Sequence, residues 1–77
     1  MKYSVEITDT FGGQANYSWI QRDQLEINES YSQPWIVRKL KDHAGWTGLR
    51  CSVCNHGDLI EIRPANQCIV LFGWPIF

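Results

Sequence analysis

The residues whose types and spacing are best suited to chemistry lie in one run, Cys51-Ser52-Val53-Cys54-Asn55-His56-Gly57, with Cys68 further on. Three thiols and an imidazole make the ligand set of a Cys3His zinc centre. Only one pair, Cys51 and Cys54, has the close spacing of such centres, so the fold would have to deliver Cys68 across a hairpin. The competing reading treats Cys51 and Cys68 as small apolar strand residues, with Cys54 and His56 at a turn. That second reading is adopted, and no metal or other cofactor is expected. Redox use of Cys51 and Cys54 is expected still less. Such pairs usually open a helix, which lowers the thiol pKa, whereas this one precedes a turn between strands.

Acid–base chemistry finds little to build on. Asp42-His43 and the His56/Asp58 pair are the only places where imidazole and carboxylate are close in sequence, and neither has a nucleophile beside it. Neighbours on a helix diverge by about 100°, so Asp42 and His43 do not face one another. The Asn55–Asp58 stretch is residue chemistry typical of a turn. The chain is not expected to be an enzyme.

Binding is better supported. Arg38, Lys39 and Lys41, with Arg22, Arg50 and Arg63, offer cations for phosphate, and Trp35 and Trp46 offer rings for stacking. Against direct nucleic-acid binding stand seven Lys+Arg against eight Asp+Glu, a formal net charge of −1. Dedicated nucleic-acid binders usually carry a basic excess. Four Trp, three Tyr and three Phe exceed what one helix on a small sheet has to bury. Trp35 falls on the polar side of its helix, and Trp74-Pro75-Ile76-Phe77 is an apolar stretch. Exposed aromatics beside arginines are the usual composition of interface anchors. The candidate partner-binding residues are therefore Trp35, Arg38, Lys41 and Trp46 around the helix, with Trp74 and Phe77 beyond it. The alternative is that these rings pack locally, or that the C-terminal stretch joins a homodimer.

Six elements must position these residues. Tyr3, Val5 and Ile7 alternate with Ser4, Glu6 and Thr8, which predicts a half-buried strand over 2–9. Asp9–Gln14 reads as a turn around Gly12-Gly13. A second strand follows over 15–27, with a bulge or bend at the polar break Gln21-Arg22-Asp23-Gln24. Ser32 is a candidate N-cap and Pro34 suits the first turn. Ile36, Val37, Leu40 and His43/Ala44 then recur at helical spacing up to Gly45, a C′ glycine. Three more strands are expected: Gly48–Val53, Leu59–Arg63 and Gln67–Trp74, with turns at Asn55–Asp58 and Pro64–Asn66. The expected fold is α+β in the order β-β-α-β-β-β, one antiparallel sheet with a single helix packed on one face.

With 77 residues, of which 44% are hydrophobic, one domain over 1–77 is expected. No signal-like segment follows Met1, no apolar run is long enough to span a bilayer, and the cysteine count is odd. A reduced, cytoplasmic setting without membrane attachment is the expectation.

The runs Thr8-Asp9-Thr10-Phe11-Gly12-Gly13-Gln14-Ala15-Asn16-Tyr17-Ser18-Trp19, Gly48-Leu49-Arg50-Cys51 and Gly57-Asp58-Leu59-Ile60-Glu61-Ile62-Arg63-Pro64 look like a group of short phage and prophage proteins. The similarity spans most of the chain and carries no catalytic motif. Small phage products of this kind often inhibit or redirect host machinery, anti-CRISPR proteins among them. The resemblance therefore implies a stoichiometric inhibitor of a host protein or nucleoprotein complex, acting in the host cytoplasm.

Overall fold

Alternating apolar and polar residues build most of this molecule. The computed structural model describes residues 1–77. Its elements are β1 (Lys2–Phe11), β2 (Gln14–Glu26), α1 (Gln33–Ala44), β3 (Cys51–His56), β4 (Leu59–Pro64) and β5 (Ile69–Ile76). The sequence order β-β-α-β-β-β is the observed one. All five strands join one sheet in the order β2-β1-β5-β4-β3, with every pairing antiparallel.

Register decides which residues share a face. Val5 pairs with Gly73, which pairs in turn with Ile60; Ile7 pairs with Leu71, which pairs with Ile62. These two rows cross the centre of the sheet and form its covered face. Leu40 of α1 sits on them and is fully buried. Tyr3, Ile27 and Trp46 complete the core, with Ile36, Val37 and Ala44 of the helix packed against it. The helical spacing of apolar residues and the two-residue period of the strands thus converge on one layer.

The helix ends as its sequence predicts. Ser32 is the N-cap in an extended conformation, although its side chain makes no capping hydrogen bond, and Pro34 occupies the first turn. Gly45 adopts a left-handed φ of 78°. Its N–H donates to Asp42 O, and the N–H of Trp46 donates to Lys41 O. This paired closure turns the chain sharply and usually brings the second residue past the helix back against it.

Trp46, expected among the exposed anchors, is 6% exposed and belongs to the core. Strand limits also differ from expectation. The pairs at Gln21, Arg22, Asp23 and Gln24 are regular, and the irregularity lies between Thr8 and Thr10. There Thr8 faces Ile20 and Thr10 faces Ala15, so Asn16–Trp19 bulge out opposite Asp9 alone. β3 starts at Cys51 rather than Gly48, and Asn55 and His56 belong to it. β5 runs on to Ile76 and lies in the middle of the sheet, between β1 and β4.

The other face carries Ser4, Glu6, Thr8, Val70, Phe72 and Trp74, in the pairs Ser4–Trp74, Glu6–Phe72 and Thr8–Val70. The only helix lies on the opposite side, so this face is left uncovered by any helix, although Thr8 and Val70 on it are fully buried. No helix is long and apolar enough to cross a membrane.

Candidate interaction site

Residues three apart on a helix lie on one side of it, and α1 uses this to assemble an exposed aromatic–cation array. Trp35 is 50% exposed. The Arg38 guanidinium stands 5.2 Å from the centroid of its ring. Tyr31, just before the helix, brings its ring within 6.1 Å of Trp35 at a tilt of 38°. Lys39 places its ammonium 6.0 Å from the Tyr31 ring. Each cation thus lies within the range over which a ring quadrupole attracts positive charge. The array holds one ring and two charges on the helix, with a second ring just before it.

Shallow depressions flank it on both sides. One is lined by Ser30, Tyr31, Ser32 and Trp35. The other lies between the helix and the segment after it, where Pro34, Arg38, Lys41, Asp42 and Thr47 meet. Lys41 Nζ donates to Leu49 O at 2.8 Å, and Thr47 Oγ1 donates to Asp42 Oδ1 at 2.7 Å. Lys41 therefore ties down the wall of this depression, and its charge is partly satisfied there.

The six residues expected to bind a partner separate into three locations. Trp35, Arg38 and Lys41 stay together on the helix, and Trp46 is internal. Trp74 lies partly buried on the uncovered sheet face, and Phe77 beyond it is 91% exposed. Lys39 is named from the sequence only among the cations for phosphate, and Tyr31 not at all, although Tyr31 falls four residues before Trp35, the spacing that stacks side chains on one side of a helix. Phe11, Tyr17 and Trp19 are also exposed, on the β1–β2 hairpin.

That hairpin is held by a polar clamp. Thr8 Oγ1 donates to Trp19 O and accepts from the Tyr17 N–H. Asp9 accepts from the side chains of Asn16 and Ser18 and from the Ser18 N–H. These bonds, the Ser18 hydroxyl first, hold the Asp9 carboxyl well below the usual carboxylate range. Tyr17, at φ 57°, takes the left-handed conformation that the bulge requires.

The cysteines and His56 do not meet. Residues an odd number apart on a strand face opposite ways, so Cys51 and Cys54 are on opposite faces of β3. Cys68 precedes β5, two strands away, and no group of three or more His, Cys, Asp or Glu is placed to hold a metal ion. All three thiols are free, and Cys68, expected in the core, is exposed. His56 instead reaches Glu61 at 3.2 Å, and Arg63 Nε bonds the other oxygen of the same carboxylate. The bond from Arg63, more than that from His56, draws the Glu61 carboxyl below its ordinary pKa against the opposing effect of burial. Arg63 Nη1 also donates to Gly13 O at 2.6 Å, fastening the β1–β2 turn to β4. His43 pairs with Asp23 of β2 at 2.9 Å. Both histidines thus find carboxylates across the fold rather than their sequence neighbours Asp42 and Asp58.

No protein-family model, curated protein or solved structure gives a significant match to this chain.

Proposed function

We propose that this protein acts by stoichiometric binding to a macromolecular partner, through the helix surface formed by Tyr31, Trp35, Arg38 and Lys39. One observation carries the reading. A half-exposed Trp is stacked with Arg38 on a helix that is itself fixed to the sheet by Leu40. Trp, Tyr and Arg dominate binding energies at protein interfaces, and side chains already ordered lose little entropy on docking. The target class is the one the sequence resemblance implies, a host defence nucleoprotein complex inhibited in the manner of an anti-CRISPR protein, without turnover.

Direct nucleic-acid binding through the helix cations draws less support. Lys41 is engaged with Leu49 O, Arg22 with Glu6, and Arg63 with Glu61 and Gly13. Three of the six cations named from the sequence are thus already held within the chain, which leaves a short track for phosphates.

The test is affinity capture from host lysate with and without nuclease, using wild type and the Trp35→Ala/Arg38→Ala double variant. A protein partner retained after nuclease treatment, and lost at least about tenfold in the variant with an unchanged thermal midpoint, is expected. Capture that depends on intact nucleic acid, or capture indifferent to the variant, would overturn the reading.

A further inference from the structure

The two edges of the sheet are built differently. β2 carries a bulge of several residues and the charged side chains Arg22, Asp23 and Glu26, devices that discourage a second strand from pairing. β3 has none of these. Its six residues, Cys51-Ser52-Val53-Cys54-Asn55-His56, include no Lys, Arg, Asp, Glu, Pro or Gly, and Ser52–His56 are all exposed. It pairs with β4 in unbroken register, leaving its other side open. Alternate N–H and C=O groups of such an edge point outward, and the partner that satisfies them is another extended backbone.

Charges at the two ends of β3 select which backbone. Arg50 directly precedes the strand and Asp58 lies in the turn that follows it. Neither takes part in any ion pair of the chain. We propose that β3 pairs antiparallel with β3 of a second copy, about a twofold axis at Cys54, joining two five-stranded sheets into one. A twofold axis normal to the sheet keeps the faces aligned, so only residues of the same face can pair. Of the two central registers this leaves, the one on Val53 brings Arg50 towards His56 of the other copy. The register on Cys54 sets Arg50 of each copy against the turn bearing Asp58 of the other, placing opposite charges at both ends. It also sets Ser52 against His56, and Cys54 against Cys54, on the uncovered face. Paired residues on antiparallel strands lie about 4.5–5.5 Å apart between Cα atoms, within the span of a disulfide.

The full chain, reduced, at high micromolar concentration, should sediment at twice its 8.9 kDa mass. Arg50→Asp should weaken the dimer about tenfold or more, as should Asp58→Arg, and the double charge exchange should restore it. Diamide provides a second readout: its azo bond takes two electrons and two protons as two Cys54 thiols become one disulfide. Covalent dimer should form in wild type and Cys68→Ser and be lost in Cys54→Ser. A monomer at every concentration overturns the proposal. So does a dimer indifferent to the charge variants, or a cross-link that disappears with Cys68 instead of Cys54. All of these variants lie on exposed positions, and circular dichroism verifies their folding.

Discussion

Leu40 occupies the space that a side chain on Gly73 would need: a Cβ built there would stand 2.9 Å from Leu40 Cδ1 and 3.2 Å from Cδ2. Gly73 is central in β5, paired with both Val5 and Ile60. The one strand residue without a side chain thus leaves the space that Leu40 of the helix fills.

Gly73→Ala should therefore destabilise the fold by about 1–3 kcal/mol through overpacking. Leu40→Ala should cost about 2–5 kcal/mol through the cavity it leaves. Combined, the two should lose less than the sum, because the new methyl enters the space that Leu40 vacated. Urea denaturation of the four proteins measures this, and strict additivity would contradict the contact.

Stability should fall in acid through two named groups. Asp9 and Glu61 both titrate lower in the folded chain than their ordinary values. A lowered folded pKa means that the unfolded chain binds the proton first. Their contribution is complete above about pH 5 and drains away as pH falls below the unfolded values near 4 and on through the lower folded ones. Asp9→Asn and Glu61→Gln should each flatten the acid limb of a plot of urea midpoint against pH, leaving its shape near neutrality unchanged. A limb as steep as wild type in both variants would place the acid sensitivity elsewhere.

The hairpin clamp predicts a local effect. Thr8 is fully buried and its hydroxyl accepts the Tyr17 N–H. Thr8→Val keeps the shape and removes the acceptor, which should cost about 1–3 kcal/mol. Amide exchange at Tyr17 and Ser18 should accelerate more than at Val5 or Leu71. Uniform acceleration across the sheet would instead mean that the bulge opens only with global unfolding.

The sequence made β1, α1 and β4 readable because each repeats one pattern without interruption: Tyr3-Val5-Ile7, Ile36-Val37-Leu40-Ala44 and Ile60-Ile62. It misplaced the break in β2 because that break is set by Asp9, a residue of the other strand, which draws Asn16 and Ser18 to itself. Periodicity within 21–24 carries no trace of that pull. Trp46 was misread for a different reason. The helical pattern stops at Gly45, but the closure that Gly45 makes folds the next residue inward, and a bulky apolar residue one place past such a glycine is itself the signal. Of the expected anchors, Trp35 and Arg38 were legible from their helical spacing. That Trp74 lies on the uncovered face was not, since this depends on where β5 inserts in the sheet.

The strand order has a consequence for how the chain can be made. β1 and β5 lie side by side at the middle of the sheet, pairing Lys2 with Ile76. The central ladder therefore joins segments far apart in sequence, and its closure awaits synthesis of β5. Until then the Tyr3-Val5-Ile7 row has only the β2 hairpin beside it. Such non-local pairing slows folding relative to a helical chain of equal size. A premature stop before β5 would remove the middle of the sheet rather than its margin, leaving the β1–β2 and β3–β4 hairpins without the strand that joins them.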